Sequence, residues 1–188
     1  MIGRPPPRRG LFHLPLKCRM ALRRWGGRCT RRLLVVVIRR QVLIECSPES
    51  PGGCRIERRL LISTSRFGVG QHEGSHRTPL GLHRVARKIG DGHPIGTVFK
   101  GRRAVGLTRN GWPDAPICHR ILWLEGLEPG HNRGGTEDSF HRYIYIHGFG
   151  DEVTLGRPAS HGCIHVSASD LLPLYDRTPV GTLVWIDE

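Results

Sequence analysis

From Leu33 to the C-terminus the chain is cut into short β-prone runs by glycine- and proline-containing turns. Runs of this length bury a core only by pairing with one another, so the chain is expected to be a mostly-β sandwich or partial barrel. "LLVVVI" (33–38) reads as a buried strand and "QVLIEC" (41–46) as its hairpin partner, followed by the turn-rich "SPESPGG" and a third strand over 54–64. Residues 65–81 are glycine-rich and read as a long loop. Strands are predicted over 82–90, 118–127 and 140–148, the last two rich in Ile, Leu, Tyr and Trp. One short helix stands out. Ser167 precedes "ASDLLPLYD" with Asp170 three residues on, an acidic form of the capping box, and a final strand closes the chain.

A length of 188 residues suits one domain with an appendage. The formal charge of +13 suggests a polyanion binder until it is located. Residues 1–40 hold 12 Lys/Arg and no acid, whereas the other 148 residues hold 17 basic and 16 acidic side chains. The excess therefore belongs to the head, and a nucleic-acid-binding surface on the body is not expected. The head, residues 1–32, has three consecutive prolines and apolar pieces broken by Lys17, Arg19, Arg23 and Arg24. It is expected to be a disordered basic extension, or upstream sequence read from an early start codon. It contains no uninterrupted apolar core of a secretory signal, and no stretch approaches the ~20 apolar residues of a membrane span, so stable membrane insertion is not expected. The six cysteines include no C-x-x-C pair, and no metal site is expected. Cys46 and Cys54 flank a turn, either as a disulfide across a hairpin or as two free thiols.

The chemistry is concentrated late in the chain. "YIYIHGF" sets His147 and Gly148 at the end of a predicted strand, and "PASHGCIHVSASD" sets Cys163 behind Ser160, His161 and Gly162. A thiol of ordinary pKa about 8.5 becomes a nucleophile when an imidazole takes its proton, and glycine lets backbone N–H groups approach a developing oxyanion. On spacing alone, a core histidine and a buried thiol remain the simpler reading.

The surrounding residues extend the pattern. "IHG", then "SHGCI", a capped helix and a terminal "PVGTLVWI" strand, with "STS" (63–65), "RTPLG" (77–81) and an opening hairpin carrying Gln41, resemble the L,D-transpeptidase catalytic domain of the YkuD type from about Leu33 to Ile186, which implies a catalytic domain over residues 33–188. The resemblance implies a β-sandwich with one short helix after the catalytic cysteine. It makes Cys163 the nucleophile, His147 its base and the Gly148 carbonyl the group that orients the imidazole. Ser160, His161 and Gly162 would shape the oxyanion region and support the loop. It further implies action on peptidoglycan stem peptides in a bacterial cell envelope or periplasm, although no convincing export signal is visible. The thiolate would expel D-alanine, and an amine of a second stem would resolve the acyl-enzyme as a 3→3 cross-link. Sensitivity to carbapenem-type inhibitors is expected, and no cofactor or metal. Water as acceptor would make the same site a carboxypeptidase, and a decayed site would leave a module that holds envelope polymers through the basic head.

One residue departs from the pattern. The family commonly has Arg, sometimes Asn, after "SHGCI", and this chain has His165. A neutral imidazole cannot reproduce the planar fork of a guanidinium, so His165 is a candidate for altered substrate affinity or a tolerated support residue. Tyr145 is carried as a substrate-binding candidate beside Tyr143 and Trp123, all three being more usual as core aromatics. Arg66, Arg84, Arg87, Lys88, Arg102 and Arg103 are candidates for substrate carboxylates against a default of solvated charge. Arg120, Asn132 and Arg133 are placed near a cleft without a role, and His72, His76 and His83 show no metal-binding spacing.

Overall fold

In the computed structural model of the protein, residues 11–27, 30–50, 52–112 and 114–188 are described. The strands are β1 Leu11–His13, β2 Leu33–Val37, β3 Val42–Ser50, β4 Gly53–Ser63, β5 Gly81–Ile89, β6 Thr97–Lys100, β7 Arg103–Leu107, β8 Cys118–Gly126, β9 Tyr145–Gly148, β10 Ile164–Val166 and β11 Leu183–Asp187. The helices are α1 Leu16–Trp25 and α2 Ala168–Arg177. Eight strands follow the order β5-β11-β2-β3-β4-β10-β9-β8, and a pairing of β5 with β8 closes them on themselves. The β6–β7 hairpin extends from β8, and β1 pairs with β4. The mostly-β fold expected from the sequence is the fold seen.

Each of the eight ring strands sends side chains into one core: Leu34 and Val36, Leu43, Leu60 and Ile62, Val85, Leu122 and Leu124, Ile146, Ile164 and Val166, and Val184 and Ile186. Leu171, Leu174 and Tyr175 of α2 join this core. Ser167 caps α2 as its spacing predicts, its Oγ accepting from the Asp170 N–H at 3.2 Å. Glu45, buried on β3, receives Arg58 at 3.1 Å and Arg177 of α2 at 3.2 Å, which ties the helix to β3 and β4. That helix follows directly on β10 and so anchors the C-terminal side of the thiol segment.

Three expectations are corrected. Residues 11–27 of the head are ordered: β1 runs antiparallel to β4, and Leu14, Cys18 and Ala21 enter a second cluster with Leu33, Val35, Leu82, Leu183 and Trp185. Cys18, Ala21 and Leu22 recur at helical spacing while Lys17, Arg23 and Arg24 lie on the exposed face, so the arginines that seem to break the apolar pieces leave a stripe intact. Residues 1–10 of the head lie outside the description. The strand expected over 140–148 shortens to β9, because Asp138 collects the Phe140 and His141 amides into a turn and Tyr143 takes a left-handed φ of 56°. Finally, "SPES" continues β3 rather than forming a wide loop, which places Cys54 opposite Pro48 and Ile56 opposite Cys46, and no disulfide joins Cys46 to Cys54.

Candidate active site

The site is set by one parallel strand pair. β10 lies between β4 and β9, with Ile164 opposite Ile146 and His165 opposite His147. Side chains alternate along a strand and paired residues share a face. Ile146 and Ile164 therefore point into the core, whereas Tyr145, His147, Cys163 and His165 share the opposite face. The "IHG" and "GCIH" segments, 16 residues apart in sequence, are brought together by register. His147, Cys163, His161 and His165 line one cleft of about 240 Å³ with Phe149, Ile117, Asp114 and Asp151. Size does not identify it, since a cavity of about 690 Å³ beside α1 contains neither Cys163 nor His147.

His147 is 2 % exposed, and its Nδ1 lies 2.8 Å from the Gly148 carbonyl. A carbonyl only accepts, so Nδ1 carries the proton and Nε2 is left as the acceptor of the ring. Burial holds the imidazole down at about 4, against the smaller upward pull of that hydrogen bond. Cys163 is partly buried against Phe99, Ile121, Trp123 and Tyr145, and its Sγ approaches the Tyr143 carbonyl at 3.4 Å. Burial pushes its thiol up to about 11, opposed by backbone contact at Tyr145 and by the charge of Arg142. At neutral pH the resting pair is thus a thiol beside an uncharged imidazole.

Three polar residues hold the turn before Cys163. Ser160 is buried, and its Oγ donates to the Cys163 carbonyl at 2.6 Å while accepting from the Gly162 N–H at 3.2 Å. The Gly162 amide is therefore engaged rather than free, which corrects the expectation of an open donor there. Gly162 has φ 119°, a conformation that side chains disfavour, and its carbonyl accepts from Thr78 Oγ1 at 3.0 Å. Thr78 Oγ1 also accepts the Ser65 amide at 3.0 Å, and the Ala159 and Ser160 amides both donate to Thr64. The "STS" and "RTP" segments thus clamp the thiol loop. Gln41, left-handed at φ 48° and buried, in turn holds Thr64 by two side-chain hydrogen bonds of 2.8 Å.

The remaining candidates separate. His161 is exposed and turns its Nε2 to Arg66 at 2.7 Å, with Phe67 and His76 against its ring. His165 lies 4.8 Å from the His147 ring and 4.2 Å from Phe149, its Nδ1 is buried with no hydrogen-bond partner among the described residues, and burial holds it down at about 3. It supplies no positive charge in the physiological range. Tyr145 is buried in the aromatic cluster, whereas Tyr143 is 49 % exposed. Arg84 pairs with Glu125, Lys88 donates to the Tyr175 carbonyl, Arg120 donates to the His119 carbonyl, and Asn132 is a buried bridge to the Leu80 and Leu82 carbonyls. His83 is buried between Gly81 and Ser139, and His72 pairs with Glu137 at the surface. Arg142 was not singled out from the sequence. Within "FHRYIYIHG" it reads as a strand residue, yet its guanidinium donates to the Gly70, Gln71 and Arg77 carbonyls and stands near the thiol. Among the described residues no cluster of three or more His, Cys, Asp or Glu is arranged to hold a metal ion, and no helix is long and apolar enough to cross a membrane.

The closed β fold thus presents a histidine on β9 and a cysteine immediately before the parallel strand β10 to one cleft. Residues 31–186 match the YkuD family, the L,D-transpeptidase catalytic domain, and the chain belongs to that family. Among solved structures it is similar to Bd1075 of Bdellovibrio bacteriovorus, with 15 % identity, a TM-score of 0.54, and 85 % of this chain and 48 % of that one covered. The carbamoyl enzyme formed by Ldtfm with avibactam gives 16 % identity, a TM-score of 0.50 and coverages of 85 % and 49 %. L,D-transpeptidase 3 of Mycobacterium tuberculosis, solved with a faropenem-derived adduct, gives 17 %, 0.49, 84 % and 60 %. The chain thus spans about half to three fifths of the length of these proteins. No curated protein matches it at a significant level.

Proposed function

We propose that the protein is a peptidoglycan L,D-transpeptidase in which Cys163 attacks a stem-peptide carbonyl and His147 carries the proton. The observation that bears most weight is the strand register that puts the two side chains on one face while the Gly148 carbonyl fixes the imidazole tautomer. His147 Nε2 takes the thiol proton as sulfur bonds to the carbonyl carbon, and returns it to the departing D-alanine amine. The thioester is then attacked by an amine of a second stem. The new amide forms as the C–S bond breaks, and the amine proton returns to sulfur through His147. Loop backbone amides at Cys163 stabilise the oxyanion, while Ser160 and Thr78 keep that loop in place. The substrate places this activity in the bacterial cell envelope, and an envelope transpeptidase of this type is open to carbapenem acylation.

Incubating the full chain with a tetrapeptide stem and an amine acceptor, with product masses read over time, tests this reading. Cross-linked product that disappears in Cys163→Ala supports it. Tripeptide with no cross-link would assign the carboxypeptidase activity instead, and no change in the peptide would reject both.

A further inference from the structure

Outside the His147–Cys163 cleft, the most unusual arrangement lies on the other side of the thiol. Trp123 is stacked on Phe140 at 4.1 Å between ring centroids and is flanked by Tyr143 and Tyr145. Over this surface lies the guanidinium of Arg102, 4.7 Å from the Tyr143 ring and 5.2 Å from Trp123, and it also engages the Tyr145 side chain. Arg87 covers the far edge, 5.5 Å from Trp123 and 5.4 Å from Phe140. Neither arginine meets a carboxylate among the described residues, and both are exposed.

We infer that Arg102 is a substrate-binding residue, holding a carboxylate of the acyl-donor peptide while the Trp123–Tyr143 ring surface carries the peptide toward Cys163. This rests on the proposed function and names the group by which the donor is recognised.

Four observations support it. First, Arg102 sits at the tip of the β6–β7 hairpin, where Lys100 pairs with Arg103 and the two-residue turn is Gly101-Arg102. Both turn residues have positive φ, 56° and 68°. Glycine and asparagine suit such turns, and an arginine in the left-handed region is strained. Backbone strain of this kind gathers at ligand clamps. Second, Tyr143 is also left-handed, at φ 56°, and its carbonyl is the one 3.4 Å from Cys163 Sγ. The ring that supports Arg102 and the backbone that touches the thiol belong to one residue, so the shelf is in register with the reacting atom. Third, the Arg102 guanidinium is held by the Tyr143 and Tyr145 side chains yet stays exposed, so part of its conformational entropy is already lost before a carboxylate arrives. Fourth, among the described residues lining the opposite cleft the formally charged ones are Asp114 and Asp151, with His147 and His165 held neutral. That lining does not favour an anionic donor, whereas the Tyr143 flank presents Arg102 to it.

Binding is measured in the full chain carrying Cys163→Ala, so that chemistry does not consume the ligand. The probes are a stem tetrapeptide with free carboxylates and the same peptide with each carboxylate converted to carboxamide, followed by tryptophan fluorescence or calorimetry. Added Arg102→Met is expected to weaken the acidic peptide tenfold or more, to leave the amidated peptide within twofold, and to be partly rescued by Arg102→Lys. Equal weakening of both peptides, no weakening of either, or no measurable binding of the acidic peptide to Cys163→Ala would overturn the assignment. A thermal melt of each variant verifies the fold. Transfer by the wild-type chain with binding indifferent to Arg102 removes this inference alone, whereas Arg102-dependent binding without transfer removes the proposed function and keeps the carboxylate site.

Discussion

The two sides of Cys163 are built on opposite principles. On the His147 side the two imidazoles are held neutral by burial: they pack 4.8 Å apart, one tied to the Gly148 carbonyl and the other against Phe149. On the Tyr143 side an exposed guanidinium lies on rings, with no carboxylate beside it among the described residues. Proton transfer asks for a group whose charge can change, and burial provides it by keeping the resting form neutral. Recognition of an anion asks for a fixed charge that water can reach until the ligand displaces it. In the proposed mechanism the thiol stands where the two meet, with recognition on one flank and proton transfer on the other.

The largest expected effect breaks the buried side. His147→Asn keeps a polar side chain but removes the proton acceptor, and should slow acylation of Cys163 by about 10²- to 10⁴-fold while leaving donor affinity within a few fold. A loss expressed as weaker binding would place His147 in recognition and dissolve the contrast. The Arg102 variants above act in reverse, with an effect of tenfold or more on affinity for the acidic donor. Thr78→Val is subtler. It keeps the shape but leaves the Gly162 carbonyl and the Ser65 amide without their partner, at about 1–3 kcal/mol of stability. It should slow acylation by a smaller factor than His147→Asn. Unchanged stability and rate would mean that the clamp around the thiol loop is idle.

Much of the buried side was legible in the sequence. His147-Gly148, the Ser160–Cys163 segment and the Ser167 cap each carry a local signal, and the structure joins them through a two-residue register that no local signal contains. The arginine side was legible only so far as Arg87 and Arg102 stood among six cationic candidates for a substrate carboxylate. Arg102 lies in "FKGRRAVG", where nothing distinguishes it from Arg103, and only the turn geometry and the distant rings of Trp123 and Tyr143 separate the two. The head was misread for a related reason. Leu33–Val37 is a continuous apolar run because both faces of β2 are covered, one by the core and the other by Leu14, Cys18 and Ala21. The cover comes from residues whose arginines dominate the composition, while their helical stripe is only a few side chains long. Arg142 shows the same limit: its partners, the Gly70, Gln71 and Arg77 carbonyls, are more than 60 residues away.

The neutrality of the Cys163–His147 pair is the claim most open to a direct test. The thiol is pushed up to about 11, so it stays protonated below that pH, and His147 is held down at about 4, so it stays an acceptor above it. Both reactants are therefore in their working forms throughout the intervening range. The measurement is the rate of covalent imipenem adduct formation at Cys163, followed by intact mass and peptide mapping from pH 5.5 to 9. The account predicts a single adduct on Cys163 whose rate is nearly level across that range. A rate that rises about tenfold per pH unit would show attack by a pre-formed thiolate without help from His147, and no adduct on folded protein would contradict the account altogether.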